Sequence, residues 1–407
     1  MPEILNATDD TWNVLLVEDD ATVRRQVREY LSEESFASRR LNIDEIPDLD
    51  QALNLIRERK ADLVILDIYQ GTARQGGEQT GIRILEGIKK SGFVPVVLYT
   101  ALPEGLEGQQ SSFVRLVGKD VGGLERLKAE ITELFRIRVP QVHRAIVNHL
   151  DRALCSYMWQ FVQVNWTEFS SLVNKPEFLR LIIQRLAMTF AREGISKMTE
   201  EVYGTLPPGE ATNVDTVHPA EYYIKPPIGQ DPMLGDIRLR QSAGKIEYLV
   251  VLWPTCDMVS TGGRTPKTQH VLCARSTSAK DAPEVVDWVS APNKSKQKKL
   301  ERLVKNTRDE SPDRYHFLPG VWDIPDLVVD FQILEHIALD EVQGYTCLGT
   351  LASPFAEALG ARFQRYIGRV GTPDLEMNCV LTQIKKRSAA AVDGGGNPLP
   401  DAGLTQK

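Results

Sequence analysis

Cysteine is scarce in this chain: five residues among 407 (Cys155, Cys256, Cys273, Cys347 and Cys379), odd in number and without a CxxC pair. That spacing argues against a zinc ribbon, and the pattern reads as a cytoplasmic protein with reduced thiols. No apolar run approaches the ~20 residues of a membrane span, and the N-terminus lacks a signal-peptide pattern. Positive charge is not in excess either. A net charge of −7 leaves the chain as a whole without the footprint of a nucleic-acid binder. No internal repeat is present. With 42% hydrophobic and 25% charged residues the composition is that of a soluble globular protein, and the length allows two or three domains.

Short apolar runs that end in acids are the strongest pattern present. Val14 to Val17 stops at Glu18-Asp19-Asp20, and Leu63 to Leu66 stops at Asp67. Val96 to Tyr99 ends at Thr100-Ala101. Runs of this kind, separated by helical segments, are buried parallel strands, so the first part of the chain reads as an α/β doubly wound parallel sheet. In such sheets the chemistry gathers at the carboxyl ends of the strands. Glu18, Asp19 and Asp67 are therefore expected to converge, and three carboxylates at close range need a cation. An all-oxygen donor set favours a hard divalent ion, Mg²⁺ foremost.

The order of these motifs resembles the receiver domain of two-component response regulators, over about residues 10–137. The resemblance carries the family's acidic metal pair onto Glu18 and Asp19 and its phosphoacceptor onto Asp67. It carries the hydroxyl that senses the phosphoryl group onto Thr100, and the family's lysine onto Lys119. It implies a flavodoxin-like fold, Mg²⁺ as cofactor, a histidine kinase as partner and a phosphorelay as the setting. A carboxylate nucleophile, a compact cation and a hydroxyl donor suit phosphoryl transfer, which needs positioning and charge neutralisation more than covalent help. Three departures stand out. Asp120 replaces the proline usual after the lysine, and Leu116 replaces the aromatic usual three residues before it. The loop from Tyr69 to Gly77 is long and glycine-rich. These changes point to a different reporter of phosphorylation, such as that loop or the helix after it.

Beyond the receiver, Gly123 to Ile137 reads as a last helix and Val139-Pro140 as a break. Residues 141–198 keep helical spacing, with Val142, Ile146, Leu150, Leu154 and Met158 recurring every four residues. Asn174-Lys175-Pro176 marks a stop and restart. This is a helical connector or dimerisation region whose apolar faces need a partner, either the C-terminal domain or a second copy. Residues 204–387 read as a β-rich α+β output domain, closed by a helix near 354–367, and residues 388–407 as a disordered tail. Residues 235–275 resemble, weakly, small SH3-like barrels such as those of endoribonuclease toxins; no catalytic residue is carried over.

In the output domain, Cys256 and Asp257 after an apolar strand form a candidate thiolate site, with His270 as a candidate neighbour across a hairpin. The plain alternative is a buried cysteine and a turn-capping aspartate. The basic stretch 292–308 reads as an amphipathic helix with a solvated charged face. Arg362, Arg365 and Arg369 read as partners of acids within the domain, and His316 as a satisfied structural histidine. Three whole-chain readings stay open. One is a response regulator controlling an output domain. The second is a phosphorylation-gated effector of nuclease or toxin type, in stress or phage defence. The third is a non-enzymatic adaptor. DNA-type output is not favoured, because no helix-turn-helix stands out.

Overall fold

The computed structural model describes residues 11–58, 61–69, 80–190, 194–204, 216–242, 244–308, 313–370 and 375–393. The chain divides into two compact units, Met1–Thr212 and Asn213–Lys407. Most of the glycine-rich loop, 70–79, lies outside the described residues.

The first unit opens with β1 (Thr11–Val17), α1 (Ala21–Ser32), β2 (Ser35–Phe36), β3 (Arg39–Ile46) and α2 (Leu49–Glu58). It continues with β4 (Leu63–Leu66), α3 (Thr80–Ser91), β5 (Val96–Thr100), β6 (Val114–Gly118) and α4 (Gly123–Arg136). The six strands order as β2-β3-β1-β4-β5-β6, parallel except for the antiparallel β2–β3 edge pair. Apolar residues alternate between two buried faces, which is why these runs lack polar positions. Leu15, Val17, Val64, Leu66, Val96 and Leu98 pack toward one helical layer, and Val14, Leu16, Leu63, Ile65 and Val97 toward the other. The expected doubly wound sheet is therefore present. The crossover from β5 to β6 carries only a 3-10 turn, Glu107–Gln109.

The helical region comes next, as α5 (Val139–Tyr157), a π-helical segment (Met158–Val162), α6 (Trp166–Phe169), α7 (Pro176–Thr189) and α8 (Ile195–Tyr203). The break expected at Val139-Pro140 falls earlier. Arg138 takes φ 62° between α4 and α5, and Pro140 sits in the first turn of α5, where its missing N–H costs nothing. Arg144 of α5 reaches the amino-terminal side of the sheet. Its Nε donates to Asp62 at 2.8 Å, its Nη2 to Asp62 and to the Thr11 carbonyl (2.7 Å), and its guanidinium lies 4.0 Å from the Trp12 ring centre. Both charged groups are buried.

The second unit contains β7 (Tyr223–Ile224), β8 (Asp236–Ser242), β9 (Lys245–Val251), α9 (Thr255–Met258), β10 (His270–Ser278), α10 (Pro283–Ser290) and α11 (Lys294–Val304). It ends with β11 (Tyr315–Leu318), β12 (Leu327–Ala338), α12 (Leu339–Gly344), β13 (Thr346–Leu351), α13 (Phe355–Ile367) and α14 (Met377–Asp393). One antiparallel sheet runs β11-β12-β10-β9-β8-β13-β7. It curls over α13, so that Tyr223 near one edge donates from its hydroxyl to the Pro319 carbonyl beside the other (2.7 Å). The segment 235–275 is thus not a small barrel of its own: its three strands are the middle of a seven-stranded sheet, because β13 and β12 supply their outer partners. The basic stretch is the expected amphipathic helix, α11, with Leu303 buried and Leu300 packed beside it.

Three further expectations need correction. The helix near 354–367 does not close the domain, since α14 runs on to Asp393 and takes in residues assigned to the tail; 394–407 lie outside the described residues. Arg362 donates to the carbonyls of Tyr315 and Asn306, which anchors α13 to backbone at β11, and the Asp313 carboxylate acts on its charge. Arg369 instead meets Tyr366. His316 is not satisfied among the described residues: its buried Nδ1 has no hydrogen-bond partner there.

Both kinds of buried group can be tested. Truncating Arg144→Ala strands the Asp62 carboxylate, and urea denaturation of the full chain should show a loss of about 3–5 kcal/mol in the first unit, whereas the paired Arg144→Met/Asp62→Leu change should lose less. Burial, then the Arg362 charge, pulls the His316 imidazole down to about 4. The unfolded chain binds that proton first, so this contribution is full above pH 6.5 and is lost as pH falls toward 4, by about 3 kcal/mol at most. His316→Phe should flatten that part of the pH–stability curve.

Candidate functional site

The β1–β4 register pairs Val17 with Leu66, so the next residues, Glu18 and Asp67, emerge side by side at the carboxyl edge of the sheet. This is the point where strand order reverses direction, and therefore where an open α/β sheet leaves a crevice. Glu18, Asp19 and Asp67 each offer an oxygen within 4.8 Å of the others. That spacing suits oxygens sharing one hard cation. Asp67 Oδ1 accepts from the Ile68 N–H (2.7 Å), and Lys119, after β6, places Nζ 2.5 Å from Glu18 Oε2 and 2.7 Å from Asp67 Oδ2. Burial, and after it the Asp67 carboxylate, push the Glu18 carboxyl up to about 7, against the pull of Lys119.

Thr100 ends β5 opposite Gly118, and its carbonyl accepts from the Lys119 N–H (2.8 Å). Its hydroxyl is buried and has no hydrogen-bond partner among the described residues. The five residues read from the sequence, Glu18, Asp19, Asp67, Thr100 and Lys119, are thus gathered at one edge of one sheet.

Three positioning residues escaped the sequence reading. Arg24 of α1 donates to the carbonyls of Glu18 (2.7 Å) and Asp19 (2.9 Å) and is held in turn by Glu45. Gly81, second residue of α3, lies so close that a Cβ would sit 2.2 Å from the Asp67 carbonyl oxygen. Gly123 opens α4 against the Gly118 carbonyl, where a Cβ would come to 2.6 Å. Only a glycine near a helix start hinted at the last two.

The second set is not assembled. Cys256 and Asp257 are neighbours on α9, with Sγ 3.6 Å from Asp257 Oδ1. His270 bonds through its backbone to Thr268, and among the described residues no hydrogen bond or ion pair joins it to either. A carboxylate is also the wrong neighbour for a thiolate, which needs positive charge nearby.

Residues 14–128 match the family described as the response regulator receiver domain. The transcriptional regulatory protein ResD of Bacillus subtilis (strain 168) is 27% identical over 225 residues, 52% of this chain and 85% of ResD. Among solved structures, response regulator protein TrrA from Thermotoga maritima, in complex with Mg²⁺-BeF, is 27% identical over 30% of this chain and 98% of that one, with TM-score 0.25. The Klebsiella pneumoniae RstA receiver domain is 24% identical over 29% of this chain and 97% of that one, with TM-score 0.23. Residues 14–128 are a response regulator receiver domain. The family match stops at residue 128, and the rest of the chain is a fused helical region and an antiparallel-sheet domain.

The donor set fits Mg²⁺, so the ion should stabilise the folded chain. Saturation to about a hundredfold above Kd should add roughly 2.7 kcal/mol in thermal or chemical denaturation, and Asp19→Asn should abolish the gain.

Proposed function

We propose that the chain is a cytoplasmic response regulator whose Asp67 accepts a phosphoryl group from a partner histidine kinase in a phosphorelay. In this reading residues 141–198 are its helical connector and dimerisation region, and residues 204–387 the output it controls. The observation that carries the reading is the convergence of Glu18, Asp19 and Asp67 within 4.8 Å, with Lys119 bridging two of them and an unpartnered Thr100 hydroxyl nearby. Glu18, Asp19 and Asp67 would hold Mg²⁺, which when bound neutralises phosphoryl oxygens. An Asp67 oxygen attacks phosphorus, the phosphorus–nitrogen bond of the donor phosphohistidine breaks, and the imidazole leaves and takes up a proton. Lys119 moves its charge-assisted bond from carboxylate to phosphoryl oxygen, and Thr100 donates its hydroxyl proton to another. The five free cysteines agree with a reducing compartment. The reading gives Cys256, Asp257 and His270 no role, and nucleic acid is not its favoured output.

Incubation with acetyl phosphate and Mg²⁺ tests it. Intact-mass spectrometry should show one added phosphoryl group, absent in Asp67→Asn and absent after chelation; uptake that survives either change overturns the reading. Gly81→Ala forces the Asp67 backbone aside, and its uptake rate should fall by roughly a hundredfold.

A further inference from the structure

Helix α5 has two sides that want to be dry. One buries Arg144, Ala145 and His149 within its own unit. The other carries Val142, Ile146, Leu150 and Leu154, all exposed. These four residues span about 18 Å of helix. No charged residue interrupts the row. Helix α7 is barer still. It runs for 14 residues and buries only Thr189. Leu179 is 60% exposed and Ile183 55%, and Leu181 and Met188 are exposed as well. Helices this short are marginal in water and take their stability from packing, so α7 requires cover. Trp159 and Phe161, in the π-helical segment that follows α5, are exposed too.

We infer that a second copy of the chain covers this surface, and that the dimer is built on an α5–α5 contact across a two-fold axis, flanked by α7. This rests on the reading of residues 141–198 as a dimerisation region and names its interface. Three observations select a copy over another occupant. Leaving out Leu181 and Met188, which fall on the far side of α7, eight half-exposed large apolar side chains amount to on the order of 700 Å² per chain, which is close to one side of a standard interface and more than the ~300–600 Å² patch of a typical monomer. A row of residues spaced by four is the ridge that interdigitates with its own kind, at a crossing of about −50°, so the surface is self-complementary as an isologous contact demands. The α5 row is itself uncharged, with the exposed Arg180 and Arg185 of α7 outside it, so it has no electrostatic preference for a partner of either sign. Two helices from each chain also make the smallest closed bundle that dries α5 and α7 together. Because Arg144, on the other side of α5, is fixed to Asp62, the contact also sets how the two receivers face each other.

Light scattering after size exclusion tests the inference on the full chain. The expected mass is twice 45.6 kDa, and Ile146→Glu with Leu150→Glu should return it to 45.6 kDa. Phosphoryl uptake at Asp67 should persist in that variant, which shows that its receiver is folded and separates this outcome from failure of the phosphoacceptor reading. In an otherwise native chain, Leu150→Cys should give a disulfide-linked dimer on mild oxidation. A wild-type monomer at micromolar concentration overturns the inference, including one whose α5 ridge is protected from hydrogen exchange by residues 213–407. A dimer that survives both glutamates overturns it equally.

Discussion

Two carboxylates at the ends of adjacent strands are the constraint around which the receiver is built. The β1–β4 register forces Glu18 and Asp67 together, and both are buried. A pair of buried like charges is not stable alone, so a cation has to stand between them. Lys119 does so from β6, which fixes the far edge of the sheet to its middle. Glu18 is nevertheless pushed up to about 7, so one lysine does not fully offset burial and repulsion. The residual deficit is what makes the cluster receptive to more positive charge, and a third oxygen, from Asp19, lies within reach to complete a donor set.

The opposite pole of the sheet solves a similar problem differently. Asp62 comes just before β4 as Asp67 comes just after it, and it too is buried. Its counter-charge, Arg144, comes from 82 residues away, on α5. One short strand therefore has a buried acid at each end. One is answered from within the receiver and the other from the helical region, which makes α5 part of the same unit as the sheet rather than a loose tether.

The receiver's fold and site were legible because both are written locally. Apolar runs without polar interruptions announced β1, β4 and β5, and the acids after the first two gave the candidate cluster, while Thr100 came from the resemblance to the receiver family. Lys119 came from the same resemblance, at the end of the next apolar run. What stayed hidden depends on pairs distant in sequence. Nothing near Arg144 or Asp62 says that they meet, and nothing near Gly81 says that its missing side chain makes room for the Asp67 carbonyl. The second sheet was misjudged for the same reason. Strands β8 to β10 are local and were found, but β13 and β12, far along the chain, turn them from a candidate small barrel into the centre of a larger sheet. Cys256 and His270 looked like neighbours across a hairpin, but His270 stands opposite Ala338 in the ladder, and Cys256 has already left it for α9.

The departures from the receiver pattern acquire a physical meaning in the structure. Leu116 packs among the apolar residues beneath α2 and α3, and the β5–β6 crossover holds no α-helix, so the face that an aromatic at that position would address is reduced to a turn. The other route out of the site is short and stiff. Lys119 is bonded through its backbone to Thr100, the next residue Asp120 pairs with Arg126, and Gly123 seats α4 directly on the Gly118 carbonyl. Helix α4 then leads through the single left-handed residue Arg138 into α5. The contacts of Lys119 and its neighbours thus run to the first turn of a helix that leads into the helical region. Asp120 and Leu116, the two departures, thus sit at the two ends of the contrast: one in the contacts that tie Lys119 to α4, the other under a crossover without a helix.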